Sequence, residues 1–252
     1  MSEYTPLSEV GEFGLIRKIK EKIELRNESS IKGIGDDAAV LEPQAKQVVI
    51  SSDMLLESVH FDLTFCPLKH LGYKAVAVNV SDIAAMNAKP TQITVNIAVG
   101  ARFTLEAVEE LYEGIRLACE NYKVDLVGGD TTSSRAGLVI SVTAIGEATP
   151  EEIVYRNGAK VNDLVCVTGD LGAAYMGLQI LEREKQAFMA NPDMQPELEN
   201  KQYIVGRQLR PEARMDVIYD LKERGIRPTS MIDISDGLAS ELFHICSQSK
   251  VG

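Results

Sequence analysis

Four apolar runs end in an aspartate after a short step of small residues: VVISSD at Asp53, VDLVGGD at Asp130, LVCVTGD at Asp170 and MIDISD at Asp236. Carboxylates at the ends of strands are where α/β proteins assemble binding sites. Asp and Gly also mark ordinary turns, and Asp170, followed by Leu-Gly, fits a turn. GIGDDAAV, residues 33–40, adds Asp36 and Asp37 side by side with no nearby cation. Asp82 is harder to place on a surface. In LGYKAVAVNVSDIAAM the helical stripe runs Leu71, Ala75, Val78, Asp82, Ala85, with Asn79 beside it, so the carboxylate lies on a face that should be buried. An unpaired buried charge costs several kcal/mol. Lys74 and Lys89 fall off that face or beyond the helix, which makes a metal ion the better partner for Asp82.

Asp37, Asp53, Asp82 and Asp130, with Ser51 and Ser52 adding hydroxyl or carbonyl oxygens, form an oxygen-only set on separate elements. That chemistry suits a hard cation. Mg²⁺ fits better than Ca²⁺, because the ligands are scattered and not gathered in one flexible loop, and Mg²⁺ shares phosphate oxygens. A phosphorylated ligand is therefore expected. Neither of the usual phosphate loops is present: no G-x-x-x-x-G-K-[ST] occurs, and GIGDDA fails G-x-G-x-x-G. Arg156, Lys160 and Arg135 are the candidate cationic contacts to phosphate.

The elements that must position these groups follow from periodicity. A helix is expected from Ser8, its possible cap, to about Lys22, then a strand over 47–53, a helix over 67–86, a strand over 91–100, a helix over 104–122, and strands at 124–130 and 137–148. This β-α-β-α-β-β string makes an α/β (α+β) layer domain over residues 1–150. The pattern then restarts. VNDLVCVTGDLG reads as strand and turn before a helix at AAYMGLQILERE, a segment with Pro192 and Pro196 interrupts, and TSMIDISDGLASELFHICSQ reads as strand, turn and helix. Residues 151–252 form the start of a second unit, expected to need further residues to complete it.

The chain of 252 residues is 45% hydrophobic and 25% charged, a globular composition. Its 37 Asp and Glu against 26 Lys and Arg give a net charge of -11, which argues against nucleic acid or an anionic membrane as partner. Cys66, Cys119, Cys166 and Cys246 are far apart, lack zinc spacing and read as reduced core residues. An acidic, polar N-terminus and the lack of any run of 18 apolar residues point to a cytoplasmic location.

GIGDDAAV, SSDMLLESVHF, YKAVAVNVSDIAAMNAKP, LVGGDTT, RNGAKVNDLVCVTGDLG and IDISDGLASEL, in this order, resemble the thiamine-monophosphate kinase family of the PurM-like superfamily. The resemblance implies a two-domain PurM-like architecture whose N-terminal, Mg-ATP-binding domain dimerises. It implies ATP- and Mg²⁺-dependent phosphorylation of thiamine monophosphate to thiamine diphosphate by a homodimer using several ions. Under it Asp37, Ser51, Ser52, Asp53, Asp82, Asp130, Asp233 and Asp236 are metal ligands. Gly129, Asp130, Arg156, Ser235 and Tyr112 line the ATP, and His60 meets the substrate phosphate. No covalent or general-base residue is implied. The competing readings are an ATP-dependent synthetase of the same scaffold and a non-catalytic Mg-nucleotide-binding dimerisation module.

Overall fold

The computed structural model describes residues 5–34, 39–43 and 47–252. Helix α1 (Leu7–Glu21) is broken at Gly11, whose φ of 67° only glycine adopts cheaply. Its cap position is Pro6, without a side-chain bond, and not Ser8. A short ribbon, β1 (Ser30–Lys32) and β2 (Val40–Leu41), leads to strand β3 (Gln47–Leu56). Then follow α2 (Leu68–Ala85), β4 (Lys89–Val99), α3 (Leu105–Tyr122), β5 (Asp125–Ser133) and β6 (Val139–Ala148). The expected β-α-β-α-β-β order is present. The sheet order is β3-β6-β4-β5, antiparallel except for the β4/β5 pair, whose crossover is α3.

One sheet face is covered and one is open. Val49, Ser51, Asp53 and Leu55 of β3 alternate toward α2, while Val48, Ile50 and Met54 on the other face are 44%, 65% and 53% exposed. Under α2 and α3 lie fully buried Leu71, Val76, Ile83, Ile93, Leu111 and Ile115. Each such side chain contributes about 1.5–3 kcal/mol relative to exposure. The two helices pack backbone to backbone. A Cβ on Gly72 would stand 2.0 Å from the Leu111 carbonyl oxygen, and one on Gly114 1.9 Å from that of Lys69.

Helices α4 (Ala173–Ala190), α5 (Gln202–Leu209), α6 (Met215–Glu223) and α7 (Leu238–Ser249) complete the described elements, with a 3-10 turn at Glu199–Lys201. Leu181, Val205, Leu209, Ala213, Met215 and Ile218 join the same hydrophobic cluster as α2 and α3. A hydroxyl chain crosses there too: Asn121 Nδ2 donates to Tyr73 Oη, Tyr73 Oη to Tyr122 Oη, and the Ala213 N–H to Tyr122 Oη. Asp62 in the loop after β3 pairs with Lys185 of α4.

Two expected strands are absent. Residues 161–172 and 229–236 have strand-like sequences but pair with no strand among the described residues, and a strand exists only through its ladder. Val161, Leu164 and Val165 are consequently exposed, as is Cys166, which is therefore no core cysteine. No described helix is long and apolar enough to cross a membrane.

Candidate active site

Asp53 and Asp130 lie inside strands that continue to Leu56 and Ser133, and Asp170 and Asp236 follow no strand. The small residues before each aspartate thus do not mark strand ends. Ser51 and Asp53 point from β3 toward α2, where Asp82 and Asn79 wait one turn apart. Ser51 Oγ donates to Asp82 Oδ2 at 2.5 Å. Asn79, buried in α2, accepts the Asp53 N–H at 3.0 Å and donates to the Ala75 carbonyl at 3.0 Å, so its amide has one orientation. β3 is an edge strand, and Asn79 takes an N–H on its unladdered side.

From the second half of the chain, the 231–236 segment reaches the same place. Ser81 Oγ, one residue before Asp82, donates to Asp233 Oδ2 at 2.9 Å. The strip carrying Arg156 runs alongside, with the Met231 N–H donating to the Tyr155 carbonyl and Ser230 Oγ to the Arg156 carbonyl. Burial pushes the Asp82 carboxyl above the usual carboxylate range, and the Asp53 carboxyl adds to the shift against the Ser51 hydroxyl and the Arg156 charge. Burial likewise raises Asp233, with Asp82 as a second cause. Like charges crowd here, offset in part by the Arg156 charge, an arrangement that a bound cation relieves. Among the described residues no three His, Cys, Asp or Glu side chains stand close enough to share an ion.

The other expected ligands are dispersed. Asp37, with Asp36, lies outside the described residues. The Ser52 side chain is turned the opposite way from Ser51, bonding the Val142 carbonyl at 3.2 Å and Thr143 Oγ1 at 3.0 Å, and its carbonyl, trans to the Asp53 N–H that reaches Asn79, faces β6, so neither oxygen is turned toward Asp82. Asp130 sits in register with Asn96 on β5, the edge opposite β3. Three strand spacings of about 4.8 Å separate the two edges by roughly 14 Å, so Asp130 does not join Asp53 and Asp82 within one chain. Gly129 packs against β4, where a Cβ would stand 1.8 Å from the Val95 carbonyl oxygen. Ser235 and Asp236 are exposed in the turn before α7, and Asp170 pairs with Arg207 and accepts from Tyr203 of α5, apart from the Asp82 group. Tyr112 lines a cavity of about 440 Å³ between α1 and α3, floored by Leu15, Ile19 and Val108, apart from the Asp82 group. His60 is exposed just beyond β3. Its Nδ1 accepts the Leu56 N–H at 3.0 Å, which leaves Nε2 as the N–H donor of the neutral ring.

Three residues that hold this region together were not singled out from the sequence: Ser81, Glu241 and Asp125. Glu241 is 3% exposed and accepts the Asp236 and Gly237 N–H groups. Asp125, at 0% exposure, accepts from the Arg26 and Asn27 N–H groups and the Ser30 hydroxyl, fastening the ribbon that flanks residues 33–39 to the start of β5. A lone acid in VDLVG carries the same signal that marked Asp82.

Comparison with known proteins agrees with the motif reading. The family "AIR synthase related protein, N-terminal domain" matches residues 35–148. The chain is 38% identical over 243 residues to the thiamine-monophosphate kinase of Bacillus subtilis, covering 95% of this chain and 71% of that protein. It superimposes on the crystal structure of thiamine-monophosphate kinase from Stenotrophomonas maltophilia with a TM-score of 0.78 at 32% identity, covering 94% of this chain and 71% of the other. With AaThiL complexed with AMPPCP and TMP the TM-score is 0.70 at 34% identity, covering 99% and 74%. The chain belongs to the thiamine-monophosphate kinase family.

Proposed function

We propose that the protein phosphorylates thiamine monophosphate with ATP, giving thiamine diphosphate and ADP, by direct transfer that depends on Mg²⁺. The observation that carries the site assignment is the position of Asp82 on α2 between Ser51 and Asp53 of β3 and Asp233 of the 231–236 segment, with Asp82 raised by burial and then by Asp53, and Asp233 raised by burial and then by Asp82. The donors are all oxygens, which fits a hard cation. Asp53, Asp82, Asp233 and Asp236, with Ser51, would hold Mg²⁺, and Asp37 and Asp130 remain proposed ligands. When bound, Mg²⁺ offsets the repulsion between two phosphorylated substrates.

The chain's own groups supply position. Ser51 and Ser81 orient the Asp82 and Asp233 carboxylates, and Asn79 fixes the backbone at Asp53. Gly129, Asp130, Arg156 and Ser235 are assigned to ATP. Tyr112 goes with the nucleotide base, supported by the apolar floor of its cavity. His60 Nε2 is the proposed donor to the substrate phosphate. The acceptor monoester has its second pKa near 6, so it is ionised at neutral pH and needs no strong base. Catalysis then rests on alignment and charge neutralisation, as in-line phosphoryl transfer requires.

Residues 1–150 are proposed as the Mg-ATP-binding, dimerising unit and 151–252 as part of a second one. A homodimer is supported by the open sheet face with Val48, Ile50 and Met54 exposed. A cytoplasmic location goes with ATP as donor. The direct test supplies ATP labelled at the γ-phosphate with Mg²⁺ and thiamine monophosphate. Label should appear in thiamine diphosphate with none retained on the protein; a labelled protein that chases into product would replace direct transfer by a phosphoenzyme.

A further inference from the structure

The turn that presents Ser235 and Asp236 has a support that no metal or nucleotide contact explains. Helix α7 begins after Gly237, an N-cap residue with no side-chain cap. Two N–H groups at this end are taken from within: Glu241 Oε1 accepts the Asp236 N–H and Oε2 the N–H of the cap residue Gly237, each at 3.2 Å. Glu241 is 3% exposed and forms no ion pair among the described residues. Burying a carboxylate is costly, and two N–H bonds beside a helix N-terminus offset that only in part. What the arrangement fixes is the pair of peptide planes on either side of Asp236. The Ser235 and Asp236 side chains make no hydrogen bond of their own among the described residues, so this backbone restraint sets where they point. Three residues upstream, Asp233 is held by Ser81. The turn is therefore clamped at both ends, to α2 on one side and to the interior of α7 on the other.

We infer that Glu241 is a positioning residue for the metal–nucleotide site: it touches neither ion nor nucleotide, and sets the affinity for their complex by holding Asp236 and Ser235 in place. The inference rests on the assignment of these two residues under the proposed function. Glu241→Gln keeps the shape but replaces one acceptor by an NH₂ group facing an N–H donor. The experiment measures binding of the Mn²⁺ complex of AMPPCP, a non-hydrolysable ATP analogue, by calorimetry and by Mn²⁺ spin resonance, alongside melting temperature and the KM and kcat for ATP. Glu241→Gln should weaken binding about tenfold and raise KM to match, with kcat at saturation within about threefold of wild type. Glu241→Asp, which keeps the charge on a shorter stem, should fall between the two and serves where Glu241→Gln does not fold. A merely structural role lowers the melting temperature and the active fraction at unchanged Kd and KM; that result overturns the inference. Failure of the wild-type protein to bind Mn²⁺–AMPPCP would instead overturn the metal–nucleotide reading, and this inference with it.

Discussion

Replacing Asp125 by Asn tests whether buried carboxylates, and not only packing, hold the framework of the site. Asp125 Oδ1 accepts the Arg26 N–H at 2.7 Å, and Oδ2 accepts the Asn27 N–H at 2.8 Å and Ser30 Oγ at 2.6 Å. Asn has one acceptor oxygen, so the cheaper orientation turns its NH₂ toward Arg26 and leaves one buried donor facing another. A hydrogen bond to a charged group contributes about 1.5–3 kcal/mol, and a buried donor left unpaired costs about 1–3 kcal/mol. Removing a buried charge offsets part of that, which puts the net loss at about 2 kcal/mol. For a chain of this size each kcal/mol moves the melting temperature by about 2–4 °C, so a fall of roughly 4–8 °C is expected by calorimetry. Amide exchange should speed first at Arg26 and Asn27. A variant melting within 1 °C of wild type, with both amides still protected, would refute the anchoring role.

Asp82→Asn should nearly abolish turnover, by at least about a hundredfold, measured as thiamine diphosphate formed; survival within a few fold would remove Asp82 from the metal site. Because burial and then Asp53 raise the Asp82 carboxyl, its folded form holds the proton more tightly than the unfolded chain does, and stability is lost as pH rises through the folded value. The neutral variant should therefore melt no lower than wild type without divalent cation, and should lose the rise that Mg²⁺ gives wild type. Burial alone would raise Asp62, but the Lys185 ammonium and the Thr64 N–H outweigh it and hold it at about 2, below the ordinary 3.8. That depressed value contributes stability above pH 3.8 that is lost as pH falls toward 2. Both partners are partly exposed, so Asp62→Asn should cost only about 0.5–1 kcal/mol and flatten that part of the acid-unfolding curve. Gly114→Ala places a methyl 1.9 Å from the Lys69 carbonyl oxygen, against backbone that cannot yield without parting α2 from α3. A loss of about 1–3 kcal/mol or more is expected in denaturant unfolding.

Helix α1 and the order from β3 through β6 were legible because these elements are long and periodic, whereas β1 and β2, three and two residues long, carry too little pattern to be read. Asp82 stood out because a charge on an apolar helical stripe is a local contradiction. Its neighbours Ser51 and Asp53 on β3 and Asp233 in the 231–236 segment come from two distant stretches of chain, and the sequence pointed to them through carboxylates and motifs. Sheet order was not legible. Nothing local to VVISSD or VDLVGGD says that these strands take opposite edges, and this separates Asp53 from Asp130. The expected strands at 161–172 and 229–236 misled for the converse reason: alternation shows that a segment can pair, not that it does, and neither finds a partner strand among the described residues. Glu241 and Asp125 were missed because a single acid has the same spelling on a surface and as an interior acceptor of backbone N–H groups.

The coupling of ADP release to thiamine monophosphate tests the central claim most directly. With Mg²⁺ and ATP present, ADP should stay near background until thiamine monophosphate is added, then appear one for one with thiamine diphosphate and stop when Mg²⁺ is chelated. Mg-ATP binding without turnover, or ADP released without thiamine diphosphate, would contradict the account.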